Sequence, residues 1–163
     1  MNEAAPLVYR DTVRGEWVDY NGHLRDAFYM LIYSFATDAL LDAIGLNAAA
    51  REARGRSMYT LEAHVNYRRE VKAGARLRVE MRVIEHDAKR IRVYLEMFAE
   101  GGAQESAAPV SASEQLLLHV DRAGPRAAPF DADVLARVAA LDAASAAQGF
   151  VPRYAARAIA LPR

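Results

Sequence analysis

The chain has 163 residues, 53% of them hydrophobic and 26% charged, and its 21 basic residues balance 21 acidic ones. That length corresponds to one domain with ample apolar material for a single core, and the balanced charge excludes a dedicated nucleic-acid binder, which carries a basic excess. The absence of cysteine excludes a disulfide scaffold, a thiolate metal site and a cysteine nucleophile.

The segment Met1 to Arg10 holds Glu3 and Pro6 and no apolar run, so it does not read as a signal peptide. No stretch approaches the ~18 apolar residues of a membrane-spanning helix, and the expected compartment is the cytoplasm. Residues 7–14 alternate loosely and are expected to form a strand. A polar, aromatic loop follows from Glu16 to His23, with a turn expected at Asn21-Gly22. From Leu24 to Ile44, apolar residues recur every three or four positions without a proline, and Gly45 supplies a stop. Aromatic residues on more than one side of this helix imply that other structure wraps it.

After a polar connection over 47–56 the period changes to two. Tyr59, Leu61, Ala63, Val65 and Tyr67 alternate with Met58, Thr60, Glu62, His64 and Asn66, and the same pattern recurs over 76–83 and 91–97. These read as half-buried strands, each with one apolar and one polar face. The short connections over 70–74 and 85–89 make them antiparallel neighbours, with His86 expected in a solvent-exposed turn. Another strand is expected over 111–121, with Leu116, Leu118 and Val120 on its apolar face and Gln115 and His119 out of phase. A second helix is expected over about 131–148, ended by Gly149, and then an irregular tail. The fold class is therefore α+β: an antiparallel sheet wrapped around one long central helix, with an added C-terminal helix, in a single domain over 1–163.

The segment Trp17-Val-Asp-Tyr-Asn-Gly-His-Leu24 runs directly into the start of the central helix. A helix start presents unpaired N–H groups and partial positive charge, suited to stabilising an oxyanion. Asp19 upstream is placed as a general base or nucleophile, and Gly22 would let a ligand approach the backbone. The plainer reading is that Asp19 or Asn21 caps the turn and His23 packs beneath it. No Gly-x-Ser-x-Gly elbow, phosphate-binding glycine loop or His-x-x-x-His pair occurs, so no serine nucleophile, nucleotide cofactor or metal is expected.

Asp19-Tyr-Asn-Gly22-His23-Leu-Arg-Asp-Ala-Phe-Tyr29 resembles the D-x-x-G-H-[VM]-N-N-x-x-Y signature of the 4-hydroxybenzoyl-CoA thioesterase group of hotdog-fold acyl-CoA thioesterases. The element order is similar to the hotdog order over about 6–121, and His64-Val-Asn-Tyr67-Arg-Arg-Glu70 with Gly74 resembles the family's second-strand pattern. Within the family, Trp17 to His23 and Ser113 to Asp121 are most similar to the thioesterases of carnitine breakdown, which act on betainyl-CoA. The resemblance implies thioester hydrolysis with Asp19 as base or nucleophile, supported by Asn21, Gly22 and His23, and with N–H groups near Asp26 to Phe28 polarising the thioester oxygen. Arg25-Asp26 replaces the usual Asn-Asn pair, a departure that bears on any substrate contact those amides make elsewhere.

The resemblance also implies a homodimer or homotetramer with active sites at the dimer interface, to which Glu62 and His64 would contribute. Arg68, Arg69, Lys89 and Arg90 are candidates for the CoA phosphates, and Trp17, Tyr20, Tyr29 and Tyr33 for a cationic acyl head; the plainer readings are a solvated charged rim and core aromatics. No cofactor is expected beyond the coenzyme A of the substrate itself. A hotdog-fold hydratase shares the start of the motif, but its histidine falls one residue later, which turns a side chain by about 100° at a helix start. A non-catalytic acyl-CoA-binding module is the alternative from outside enzymology.

Overall fold

A computed structural model describes residues 6–161. The element order is β1 (Leu7–Thr12), α1 (Asp26–Ala43), α2 (Ala48–Arg54), β2 (Arg56–Tyr67), β3 (Arg76–His86), β4 (Arg90–Glu100), β5 (Ser111–Asp121), β6 (Arg126–Ala127) and α3 (Ala132–Ala147), with 3-10 turns at Gly15–Trp17 and Gly102–Gln104. The main strands form one antiparallel sheet in the order β1-β3-β4-β5-β2, with β6 paired to β5.

The central helix explains the curl. Its buried residues, Tyr29, Ile32, Tyr33, Ala36, Thr37, Leu40 and Leu41, follow one another at alternating steps of three and one, which draws a continuous stripe along one face. Phe28, Met30, Leu31 and Phe35 flank that stripe and pack partly against the same cluster. Leu77, Val79, Met81 and Val83 of β3 and Ile91, Val93, Leu95 and Met97 of β4 close over it. Each such side chain contributes ~1.5–3 kcal/mol by leaving water. Phe130 and the α3 residues Val134 and Val138 complete the cluster. No single helix among the described residues is long and apolar enough to cross a membrane.

The expected elements are present, but four local expectations are corrected. The 47–56 connection contains α2: Asn47 accepts from the Ala50 N–H at 2.9 Å, and Gly55 closes the helix at φ 63, so a short alanine-rich helix is capped at both ends. In β2 the register shifts between Thr60 and Glu62, leaving Leu61 as a bulge. The bulge reverses the alternation, so Met58, expected on the polar side, joins Val65 against the core. Tyr59 to Ala63 are exposed, because β2 is a sheet edge with a single partner.

The faces of β5 are the reverse of the expectation. Ser111, Ser113, Gln115, Leu117 and His119 are buried, while Leu116 and Leu118 are only half-buried on the outer side. Two of the inward polar side chains find donor or acceptor partners there: Ser111 donates to the Asn66 carbonyl at 2.8 Å and Gln115 to Ser113 at 3.3 Å. His119 packs on Phe130 with ring centres 4.8 Å apart, and its Nδ1 lies 2.9 Å from the Ala128 carbonyl. His86, finally, is not an exposed turn residue. It ends β3 half-buried, its Nδ1 2.6 Å from Asp142 of α3.

The tail beyond α3 crosses the outer face of the sheet. Phe150 packs on Tyr94, the Tyr154 N–H donates to the Tyr94 hydroxyl at 3.3 Å, and the Ala156 N–H donates to Glu114 at 2.5 Å. Beneath it runs a band of paired charges, including Arg78 with Glu80 and Arg92 with Glu114.

Candidate active site at the start of the central helix

The segment before α1 is a small hairpin. Val18 and Leu24 form a bridge, the Asp19 N–H donates to the His23 carbonyl at 2.8 Å, and the Gly22 N–H donates to the Asp19 carbonyl at 2.9 Å. Gly22 has φ 75, the left-handed conformation that a tight turn closed by one extra residue demands. The Arg25 N–H donates to the Trp17 carbonyl at 3.0 Å across the base of the stem, and the Leu24 N–H donates to the Val71 carbonyl at 2.8 Å, part of a bridge between His23 and Lys72 that ties the stem to the fold. Trp17 anchors the base: it is buried, stacked on Phe28 with ring centres 5.8 Å apart, and has the Arg14 guanidinium 4.5 Å from its ring.

Asp19 therefore sits at a rigid tip. One carboxylate oxygen accepts from the Asn21 N–H at 2.8 Å and the His23 N–H at 3.1 Å. Those backbone bonds, the one from His23 first, hold the carboxyl below its ordinary pKa, with His23 and Arg25 adding to the effect. The second oxygen has no hydrogen-bond partner among the described residues. The same carboxylate thus forms the turn and keeps one oxygen available, so the two readings of Asp19 are not exclusive.

The helix start itself lacks a side-chain cap. Arg25 occupies the capping position without a side-chain hydrogen bond. Its carbonyl takes the Phe28 N–H at 3.0 Å, and the Ala27 N–H turns to the Asp26 carboxylate at 2.9 Å. Of the three N–H groups expected to polarise a thioester oxygen, the structure leaves that of Asp26 without an assigned acceptor among the described residues and engages the other two. Asp26 and Ala27 are exposed, so the positive end of the helix faces solvent.

Beside it opens a cleft of about 310 Å³, walled by Asp26 and Tyr29 of α1, Tyr67 at the end of β2, and Arg68 to Glu70. The Tyr29 and Tyr67 rings meet edge to face, centres 5.3 Å apart at 85°. The Tyr29 hydroxyl donates to the Arg69 carbonyl and that of Tyr67 to the Asp26 carbonyl, both at 3.3 Å. Burial pushes the Tyr29 pKa up to about 12, and burial followed by the nearby Asp26 charge raises that of Tyr67. Glu70 lies 3.5 Å from His23 and so links the cleft to the hairpin.

The other expected residues lie elsewhere. Glu62 and His64 point to the outer side of the sheet, where they line a separate cleft of about 240 Å³ with Arg92 and Glu114 beneath the tail. Lys89 and Arg90 occupy the turn between β3 and β4, Arg90 paired with Asp87 at 2.5 Å. In register Arg90 is level with Leu118, whereas Arg68 lies beyond Ser111 at the other end of β5. At about 3.3 Å per residue the two basic groups are roughly 25 Å apart. Tyr67 and Glu70, not singled out individually by sequence reasoning, stand in the cleft. Their signal was the His64 to Glu70 stretch, in which only the arginines, Glu62 and His64 were weighed for chemistry. Among the described residues no three His, Asp or Glu side chains converge as a metal site would require.

A sheet curled around one helix, with a carboxylate held in a hairpin beside an uncapped helix start, is the arrangement that the resemblance to hotdog-fold acyl-CoA thioesterases implies. The chain belongs to the thioesterase-like superfamily, whose family model matches residues 13–138. It is 50% identical over 154 residues to a betainyl-CoA thioesterase of Pseudomonas aeruginosa, covering 94% of each chain. It is also 48% identical over 109 residues to an L-carnitine dehydrogenase/betainyl-CoA thioesterase of Agrobacterium fabrum, covering 67% of this chain and 21% of that protein. Among solved structures, a protein assigned as a thioesterase from Pseudomonas putida superposes with a TM-score of 0.83 at 43% identity, covering 97% of this chain and 98% of the other. The expected fold class and thioester hydrolase activity are borne out.

Proposed function

We propose that the acyl-CoA hydrolysed by this enzyme is betainyl-CoA, giving betaine and free CoA, with Asp19 as the base or nucleophile. The observation that carries the Asp19 assignment is its geometry. A carboxylate held ionised by two backbone N–H groups, with its second oxygen unbonded, stands on a hairpin whose stem is tied to the uncapped start of α1. In this reading that oxygen takes a proton from the attacking water, or itself attacks the thioester carbon to give an anhydride that water then hydrolyses; in either route the C–S bond breaks and CoA leaves as its thiolate. The Asp26 N–H and the helix dipole then stabilise the negative charge that grows on the carbonyl oxygen. The betainyl preference rests on the 50% identity to the Pseudomonas aeruginosa enzyme over most of both chains, and the carnitine-related name of the Agrobacterium fabrum relative supports a role near carnitine breakdown.

The working unit in this proposal is a cytoplasmic homodimer joined along β2. That strand is a long edge carrying exposed Tyr59, Leu61 and Tyr67, a surface that natural sheets pair or protect. Antiparallel pairing of two β2 edges sets one subunit's Arg90 end beside the other's Arg68 end. That arrangement brings together basic groups that lie far apart within one chain, where they would receive the CoA phosphates. It also places Glu62 and His64 of each chain near the shared edge.

The test is CoA release from betainyl-, hydroxybenzoyl- and medium-chain acyl-CoA, with light scattering for the assembly. Betainyl-CoA is expected to be the preferred substrate of a dimer or of a tetramer built from it. Preference for another thioester would overturn the substrate assignment, and an active monomer would overturn the shared edge.

A further inference from the structure

The cleft at the start of α1 holds charges of both signs with an uneven arrangement. Asp26 and Glu70 line it together with Arg68 and Arg69, yet neither carboxylate forms an ion pair with an arginine or lysine among the described residues. Glu70 approaches only His23, at 3.5 Å, and the Asp26 carboxylate accepts only the Ala27 N–H. The guanidinium groups engage elsewhere: Arg68 lies over the Tyr154 ring at 4.3 Å, and Arg69 donates to the Glu105 carbonyl at 3.4 Å. Away from this cleft, arginines and carboxylates commonly pair, as Arg54 does with Asp131 and Asp133 and Arg56 with Asp121.

Between the two carboxylates stands the Tyr29–Tyr67 pair at 85°. In this edge-to-face contact the face of one ring receives the edge of the other, and the remaining π-face, negative at its centre, borders the cleft at this corner. Tyr67 is 54% exposed, so the corner opens to solvent, with Tyr29 as its buried wall. Both hydroxyls are tied to backbone carbonyls, which fixes the rings. Such a corner, flanked by unpaired carboxylates, attracts a bulky cation of diffuse charge and gives no advantage to a neutral group of the same shape.

From this arrangement we infer that Tyr67, Tyr29, Asp26 and Glu70 form the subsite for a quaternary ammonium head on the acyl group, and that this corner sets the charge preference of the enzyme. The inference rests on the betainyl-CoA reading and adds to it the residues that distinguish a cationic acyl group from a neutral one.

The test compares kcat/KM for betainyl-CoA with that for tert-butylacetyl-CoA, in which carbon replaces the charged nitrogen at nearly constant shape. Wild type is expected to prefer the cation by about tenfold or more. Tyr67→Leu should erase about tenfold of that ratio, mainly through the KM for betainyl-CoA. Glu70→Gln should erase roughly threefold, and Tyr67→Phe, which keeps the ring face, should retain the ratio. Circular dichroism confirms that each variant is folded. Turnover of neither thioester would overturn the betainyl-CoA reading and the subsite with it. A cation preference that survives both Tyr67→Leu and Glu70→Gln would overturn the subsite alone. Equal use of the two thioesters by wild type would likewise remove the subsite while leaving thioester hydrolysis intact.

Discussion

The two ends of α1 are built to opposite specifications. At the C-terminal end every loose backbone group is closed. The Gly45 N–H donates to the Asp42 carbonyl at 3.1 Å and the Leu46 N–H to the Leu41 carbonyl at 2.8 Å, with Gly45 at φ 84. This double bond pattern caps the helix, and Ile44 and Leu46 on either side are fully buried. At the N-terminal end Arg25 gives no side-chain cap, Asp26 and Ala27 are exposed, and a carboxylate-bearing hairpin is fixed alongside. A serine or threonine at the capping position would add about 1 kcal/mol of stability, which Arg25 does not supply. One end of the helix serves the fold, and in the proposed mechanism the other serves the chemistry.

The largest effect that would break this contrast is on stability at the closed end. Ile44→Ala or Leu46→Ala should cost ~2–5 kcal/mol by opening a cavity, read from urea unfolding. The folded fraction should keep its specific activity, and a loss of activity without a loss of stability would show that the closed end is not purely structural.

Glycine replacement sharpens the same comparison at a smaller scale. Gly45 and Gly22 both have left-handed backbones, so Gly45→Ala and Gly22→Ala should each cost ~1–2 kcal/mol. An added Cβ at Gly45 would sit 2.7 Å from the flexible Arg137 guanidinium, which can move aside, and one at Gly22 meets nothing within 4 Å. Only Gly22→Ala should also lower kcat/KM, because only that turn orients the carboxylate.

The smallest expected effect is on pH dependence. Backbone hydrogen bonds lower the Asp19 pKa in the folded state, so its contribution to stability is complete above its unfolded pKa and is lost as pH falls through the lower folded value. Asp87, held down to about 2 chiefly by the Arg90 side chain, behaves in the same sense at the far end of the sheet. Stability should therefore hold from neutrality down to about pH 4 with respect to both groups and decline below it. The limb of kcat/KM assigned to Asp19 should likewise fall below 3.8, its ordinary value. A limb that follows Asp19 above that point would show that its hydrogen bonds to the backbone are not maintained.

The sequence made the helix and the inner strands legible because their apolar periods are uninterrupted. The stripe from Tyr29 to Leu41 and the alternation in β3 and β4 each have one explanation. It failed where a single residue changes the phase, as the bulge at Leu61 does. It failed again where buried polar groups find partners inside, as Ser111 does in the Asn66 carbonyl and Gln115 in Ser113, since leucines on the alternate face then read as the core. At the site, Asp19, Gly22 and His23 were recognisable as a motif. The corner formed by Tyr29 and Tyr67 was not, because it joins residues 38 positions apart on a helix and a strand. Trp17 shows the converse: its place in the motif suggested substrate, and the structure stacks it on Phe28 beneath the hairpin.

The most direct test of the account is Asp19→Asn, assayed for CoA release alongside its unfolding midpoint. The amide oxygen can still accept the Asn21 and His23 N–H groups, so the hairpin and the midpoint should be preserved. Loss of the base should lower kcat/KM by about 10²–10⁴-fold. A folded variant that hydrolyses its thioester at the wild-type rate would show that Asp19 only forms the turn and that the reacting group lies elsewhere.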